Sequence, residues 1–141
     1  MPVMALDVGS KRIGVAVADP SESFALPVAV VERSNIRDDL RAVLDLLREY
    51  GALEVVVGDP VRLSGERGIA SETMDRFVDR LSQVFTGTIH RVDERLTTAQ
   101  AQRALIAADV SRRKRKLAVD KMAAALILET FLARQRNRTE E

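Results

Sequence analysis

The amino-acid sequence predicts an α/β fold in which helices pack on the faces of a mixed five-stranded sheet. Three short apolar, β-prone runs follow one another within the first 31 residues, and short links between consecutive strands favour an antiparallel meander. The apolar residues then change to helical spacing, and two further strand-like runs alternate with helical segments. A meander followed by such units predicts the order β-β-β-α-β-α-β-α-α, with both parallel and antiparallel pairs.

The three strands of the meander are predicted over Val3–Val8, Ile13–Ala18 and Phe24–Val31. Gly9 and Ser10 interrupt the apolar character after the first strand, so a turn is expected there. Pro27 has no N–H to donate to a neighbouring strand, which favours a position near a sheet edge or a bulge.

The next two elements are a helix and a buried strand. Apolar residues recur at helical spacing from Ile36 to Leu47, with Ser34 or Asn35 as the predicted N-cap and Gly51 as the stop. The short apolar run Glu54–Gly58 predicts the fourth strand. A Gly-rich loop, DPVRLSGERG, follows it.

The second half of the chain supplies the remaining elements. A helix is marked by apolar residues from Met74 to Val84, and the fifth strand is predicted over Thr88–Val92. An Ala-rich third helix is expected to begin at Thr97-Thr98 and to end near Ala108. A last, largely apolar helix is predicted from about Ala118 to Arg134.

Composition places the chain among water-soluble globular proteins. It has 141 residues, 46% of them hydrophobic and 30% charged, which predicts one domain over residues 1–141 with a disordered tail from about residue 135. The longest uncharged stretch, Leu81–His90, is ten residues and too short to cross a bilayer, so no membrane partner is expected. The absence of cysteine excludes disulfides and thiolate metal sites and suits a cytoplasmic protein.

Charge is unevenly distributed along the chain. Ser111–Arg138 carries nine Lys and Arg residues against two acidic ones, a balance of +7, whereas the remainder carries −6. A basic end on an acidic body favours a polyanionic partner, although a solvated helix face would have the same composition. The densest run consists of five consecutive cations: Arg112, Arg113, Lys114, Arg115 and Lys116.

Three acidic residues occupy positions that local structure does not explain. Asp7 lies within the first apolar strand, Glu94 follows the fifth strand, and Asp120 lies in the first turn of the last helix. Strand ends and helix starts meet at one edge of such a sheet, and clustered carboxylates suit Mg²⁺ or Mn²⁺. The structural alternatives are an ion pair of Asp7 with Lys11 or Arg12, an ion pair of Glu94 with Arg95, and a favourable helix-dipole position for Asp120.

Four segments in order, LDVGSKRIGVAVAD, VVVGDPVRLSGERG, VDERLTTAQA and VDKMAAALIL, resemble the YqgF (RuvX) family. The resemblance implies an RNase H-like fold, phosphodiester cleavage that depends on Mg²⁺ or Mn²⁺, and maturation of the 5′ end of bacterial 16S ribosomal RNA. Carried over motif by motif, it implies that Asp7, Glu94 and Asp120 are the catalytic and metal-binding residues.

Cations in or beside these motifs are predicted to contact nucleic acid. They are Lys11, Arg12, Arg95 and Lys121, together with the basic run from Arg112 to Lys116. One residue departs from the family pattern, because Gly58-Asp59-Pro60 stands where Gly-Leu-Pro is usual. Asp59 is interpreted either as a turn residue before proline or as an accessory acid of the metal site.

Other functions remain open from sequence. A Holliday-junction resolvase would need a homodimer with two active sites, and neither monomer nor dimer is excluded. A non-catalytic nucleic-acid-binding protein would not require the three acids. The Asp-x-Gly-Ser turn also resembles the phosphate-binding turn of actin-like ATPases, which need two such domains. His90 is the only histidine in a chain without cysteine, so a zinc site is not expected. Residues 64–68 lack the pattern of a Walker-type phosphate-binding loop.

Overall fold

The computed structural model describes residues 2–19, 21, 25–59, 69–93 and 122–135. These residues form five strands and three helices. The strands are β1 (Val3–Val8), β2 (Arg12–Ala18), β3 (Leu26–Glu32), β4 (Glu54–Asp59) and β5 (Thr88–Asp93). The helices are α1 (Ile36–Tyr50), α2 (Ile69–Val84) and α3, which is described over residues 122–135.

The strands form one mixed sheet in the order β3-β2-β1-β4-β5. β1 pairs antiparallel with β2, and β2 pairs antiparallel with β3, as expected for strands joined by short links. β1 and β4 are parallel, and so are β4 and β5, because a helix carries the chain back before each of these strands. The predicted five-stranded mixed sheet is therefore confirmed.

Several strand boundaries differ from the sequence prediction. β2 begins one residue earlier, at Arg12, which pairs with Glu32 at the end of β3 and thereby extends both strands. β3 runs from Leu26 rather than Phe24 and contains Pro27 beside a shift in register between Val15 and Ala16. The proline therefore lies at an irregular position, as its missing N–H requires.

Some predicted segments lie outside the described residues. They are the Gly-rich loop beyond residue 59, the third helix near residues 97–108, the basic run at 112–116 and the tail from residue 136. The last helix is described from Met122 to Gln135, one residue beyond its predicted end.

The sheet is buried on both faces, which explains why its central strands are almost continuously apolar. Along β1, Met4, Leu6 and Val8 join a core with α1 and α2. Val3 and Ala5 join a second core with α3 on the opposite face. The period of two along a strand therefore assigns each residue of β1 to one helical layer.

Both ends of α1 follow the expected capping chemistry. Asn35 is the N-cap, and its side-chain oxygen accepts a hydrogen bond from the Asp38 N–H at 2.9 Å. Gly51 ends the helix with φ +66°, and its N–H donates to the Arg48 carbonyl oxygen at 3.2 Å. Within the described ranges, the structure contains no helix with the length and hydrophobicity needed to cross a membrane.

Candidate active site

Asp7 is the residue from which the candidate site is built. It lies one residue before the end of β1, opposite Gly14 of β2, and its side chain is half-buried. Val3 and Ala5 pack against α3, so the alternation along β1 places Asp7 on that same face of the sheet. The face of β1 that packs against α3 is otherwise apolar, and the Asp7 carboxylate interrupts it near the end of the strand.

β4 and β5 end at the same edge of the sheet as β1. The parallel register that pairs Leu6 with Val57 brings Asp7 beside Gly58 one position further along. Gly58 in turn pairs with Val92, which is buried in the α3 core. Because β1, β4 and β5 are parallel, their carboxyl ends lie at one edge of the sheet, and Gly58 places no side chain between Asp7 and Val92.

The other two predicted acids, Glu94 and Asp120, lie outside the described residues. In the sequence, Glu94 directly follows Asp93, the last residue of β5, and Asp120 precedes Met122 of α3 by two residues.

Residues 9–12 form a tight turn between β1 and β2. The Gly9 N–H donates to the Arg12 carbonyl oxygen at 2.8 Å, and a Cβ at position 9 would lie only 2.9 Å from that oxygen. Lys11 is exposed on this turn. Arg12 Nε forms an ion pair with Glu32 Oε1 at 3.1 Å, so the guanidinium stabilises the pairing of β2 with β3.

A buried ion pair stabilises the β1–β2 turn, and it was not predicted from the sequence. Asp39, in the first turn of α1, is only 2% exposed and accepts hydrogen bonds from Arg33 Nε and the Ser34 N–H, both at 3.0 Å. Arg33 Nη1 also donates to the Gly9 carbonyl oxygen at 3.0 Å, and its guanidinium lies 5.5 Å from the centre of the Phe77 ring.

The signal for this pair was present in the sequence. Asp39 lies three residues after Ile36 and four before Val43, so it falls on the apolar face of the helix. A carboxylate on that face requires a buried partner. Arg33 thus connects the start of α1 to the turn that follows Asp7.

Asp59 lies on a different face from Asp7. It is the last residue of β4 and pairs with Asp93 of β5. Val55 and Val57 pack against α1 and α2, so the alternation along β4 places Asp59 on the α1/α2 face. Whether Asp59 acts as a turn residue or as an accessory acid stays a prediction.

His90 belongs to the packing between β5 and α3. Its Nε2 lies 3.3 Å from Glu54 Oε1 of the neighbouring strand, and its ring centre lies 4.7 Å from that of Phe131. The described part of the chain contains no group of three or more His, Cys, Asp or Glu side chains arranged to hold a metal. Of the three predicted acids, Asp7 is the one that lies within the described residues. Its carboxylate oxygens are hard ligands that suit Mg²⁺ or Mn²⁺.

Comparison with known proteins assigns the chain to a family. A family model described as "RuvX: Holliday junction resolvase" matches residues 1–134. The chain belongs to the RuvX family. Two RuvX relatives, from Thermoanaerobacter pseudethanolicus and Moorella thermoacetica, are each 42% identical to it, over 139 and 134 residues. The alignments cover 98% and 95% of this chain and 100% and 96% of the relatives, both named "Putative pre-16S rRNA nuclease".

Solved structures support the fold of this RuvX chain. RuvC of Thermus thermophilus in complex with a Holliday junction substrate aligns with a TM-score of 0.60 at 18% identity, covering 96% of both chains. Fowlpox virus resolvase in complex with Holliday junction DNA aligns with a TM-score of 0.56 at 14% identity, covering 96% of this chain and 99% of the resolvase. The RNase H-like fold implied by the sequence motifs is therefore confirmed.

Proposed function

We propose that this protein is a nuclease that depends on Mg²⁺ or Mn²⁺ and hydrolyses phosphodiester bonds at the 5′ end of pre-16S ribosomal RNA in the cytoplasm. The observation that carries the proposal is the half-buried Asp7 carboxylate at the carboxyl edge of β1, on the face covered by α3. Two relatives at 42% identity, each named "Putative pre-16S rRNA nuclease", support the choice of substrate.

The proposed catalytic residues are Asp7, Glu94 and Asp120, which would also hold the metal. Their support is the fold, since β1 carries Asp7, Glu94 follows the last residue of β5, and Asp120 lies two residues before the described start of α3. A bound Mg²⁺ or Mn²⁺ would supply Lewis-acid catalysis and lower the pKa of water at the scissile phosphate. The chain's own part is to place Asp7 on a rigid central strand, where hydrogen bonds to β2 and β4 limit its movement.

The protein also has to hold a polyanionic substrate at this edge. Lys11 is exposed on the turn that follows Asp7, four residues along the chain, and is suited to contact a phosphate near the cleaved bond. Arg95, Lys121 and the basic run from Arg112 to Lys116 flank Glu94 and Asp120 in the sequence. These cations are proposed to bind the sugar-phosphate backbone, with Arg12 contributing beside its ion pair to Glu32.

A second candidate function is resolution of four-way DNA junctions. Its support is the likeness of the fold to two resolvases solved with Holliday junctions and the description of the family model. This function would require a homodimer that presents two active sites to one junction.

Cleavage assays with three substrates test the proposal. The purified protein is incubated with Mg²⁺ or Mn²⁺ and a pre-rRNA leader fragment, single-stranded DNA or a synthetic four-way junction. We expect cleavage of the leader, its loss on chelation with EDTA, and its loss in Asp7→Asn. Asp79→Asn is the matched control, because it makes the same chemical change at an exposed position of α2.

Two results would overturn the proposal. The first is the absence of leader cleavage with both metals, and the second is an Asp7→Asn protein that cleaves as fast as Asp79→Asn. Paired incisions confined to the four-way junction, by a dimeric protein, would establish the resolvase function instead.

A further inference from the structure

A groove runs between α1 and α2, on the face of the sheet opposite α3. It encloses about 710 Å³, and a second cavity of about 420 Å³ continues from it toward the end of α1. The two cavities share Leu44, Arg48 and Val84 as lining residues, so they form one continuous surface. Asp7 lies on the other face, so the proposed cleavage reaction does not use this groove.

The floor of the groove is aliphatic. It is formed by Ile36, Leu40 and Leu44 of α1, which follow one another every four residues, and by Val84 of α2. Val84 is 54% exposed, and Leu53, which lines the second cavity, is 49% exposed. Large aliphatic side chains this exposed, next to one another in a concave surface, are typical of sites that bind a partner.

The rim of the groove is basic. Four arginines line the larger cavity: Arg37, Arg41, Arg48 and Arg80. Among the described lining residues, Asp45 is the one carboxylate and lies 3.9 Å from Arg48, so these residues carry a net charge of +3. Arg37, Arg41 and Arg48 follow the helical repeat along one side of α1, which directs them along the same edge.

We propose that this groove, the α1/α2 groove, binds an acidic amphipathic helix of a partner protein. The helix would place apolar side chains at positions i, i+3, i+4 and i+7 on the floor and carboxylates against the arginines. Bidentate pairing with carboxylates makes arginine especially suited to such a rim. α1 is 15 residues long, or about 22 Å, which matches a partner helix of similar length.

The composition of the floor favours a helix over nucleic acid. Single-stranded RNA and DNA bind by stacking bases on aromatic side chains beside a basic groove. Among the described lining residues, those of the larger cavity are aliphatic or charged, and Phe85, in the second cavity, is the one aromatic residue of the groove. Phosphates would satisfy the arginines but would leave Leu44 and Val84 exposed to water, whereas an amphipathic helix covers both.

Fluorescence anisotropy with defined probes tests this proposal on the full chain. The first probe is a labelled 16-residue peptide with leucines at i, i+3, i+4 and i+7 and glutamates elsewhere. The second has the same composition with its leucines distributed around the helix, and the third is a 12-nucleotide polyuridylate. We expect the amphipathic peptide to bind about tenfold or more tightly than its rearranged control.

Two variants test the contributions of the aliphatic floor and of the arginine rim to peptide binding separately. Val84→Asp and Arg80→Glu should each weaken binding of the amphipathic peptide by about tenfold. Arg76→Glu is the matched control, because it makes the same charge change on α2 at an exposed residue outside the groove lining. Circular dichroism confirms that each variant is folded, and cleavage by Val84→Asp should equal that of the unmodified protein.

Several outcomes would overturn the proposal. These are equal binding of both peptides, binding insensitive to Val84→Asp, or equal losses in Arg76→Glu and Arg80→Glu. Polyuridylate binding that Arg80→Glu abolishes and Val84→Asp leaves unchanged would make the groove a nucleic-acid surface. A dimer in sedimentation experiments that Val84→Asp dissociates would identify a second copy of this chain as the occupant.

Discussion

At the scale of single residues, Asp7 and Asp39 are carboxylates placed where the fold is otherwise apolar, and they differ in how deeply they are buried. Asp39 is nearly inaccessible and is held by Arg33 and the Ser34 N–H. Asp7 is half-buried at a strand end toward which the proposal brings two further carboxylates. The first residue is expected to stabilise the fold and the second to serve the reaction.

Replacing Asp7 tests the reactive role. Asp7→Asn keeps the size of the side chain, removes one negative charge and leaves a weaker metal ligand. Cleavage should fall by several orders of magnitude, whereas the thermal midpoint without metal should stay level or rise because repulsion among the carboxylates is relieved. Thermal melts with and without Mg²⁺ measure this. If Asp7 instead forms a buried ion pair with Lys11 or Arg12, its loss should destabilise the metal-free protein by about 3–5 kcal/mol.

Replacing Asp39 tests the stabilising role. Asp39→Asn leaves the Arg33 guanidinium buried with a neutral partner, so the free energy of unfolding should fall by about 3–5 kcal/mol. Asp45→Asn is the control, because Asp45 is also on α1 and also lies near an arginine, but both side chains are exposed and 3.9 Å apart. That change should cost less than about 1 kcal/mol in urea denaturation. Similar losses in the two variants would contradict the assignment.

At the scale of elements, the sequence predicted all five strands and the helices α1, α2 and α3. The periodicity of apolar residues and the residues that interrupt it are local signals, so they can be read from short segments. Asn35 and Gly51 act as α1 caps, as their residue types indicated. The ends of β3 and β4 were displaced by one or two residues, because strand ends depend on partners distant in sequence. Glu32 is in β3 because it pairs with Arg12, and Asp59 is in β4 because it pairs with Asp93.

The same limit applies to the candidate site. The motifs predicted that Asp7 is a site residue and that it converges with Glu94 and Asp120. The sheet order places the end of β5 two strands from Asp7. Neighbouring strands are about 4.8 Å apart, so this separation is about 10 Å. Arg33 was missed because its role depends on a contact with the Gly9 carbonyl oxygen, 24 residues away in sequence.

The C-cap of α1 supplies a prediction at this scale. Gly51 has φ +66°, in the left-handed region, and a Cβ there would meet no atom within 4 Å. Gly51→Ala should therefore cost about 1 kcal/mol through backbone conformation alone. Gly51→Asn should recover part of the loss, because asparagine tolerates this conformation better. Urea denaturation measures both, and a larger loss for asparagine than for alanine would contradict the explanation.

At the scale of the whole molecule, the distribution of charge matters more than its sum. The net charge is only +1, yet Ser111–Arg138 carries +7 and the rest of the chain −6. An acidic body repels a polyanion, so productive binding requires the basic part of the chain to meet the substrate first. The proposed catalytic acids themselves add to that repulsion, which makes the flanking cations necessary to the proposed reaction.

The basic run from Arg112 to Lys116 therefore supplies the last prediction. Each cation that neutralises a phosphate should add nearly one unit to the slope of log K against log salt concentration, about 0.9 for duplexes and 0.7 for single strands. Replacing all five with glutamine should weaken binding of every substrate and flatten the slope by about three to five units, with the thermal midpoint unchanged. Filter binding of the pre-rRNA leader at several salt concentrations measures the slope. An unchanged slope would show that these five cations lie on a solvated surface, and the substrate-binding role would then pass to Lys11, Arg95 and Lys121.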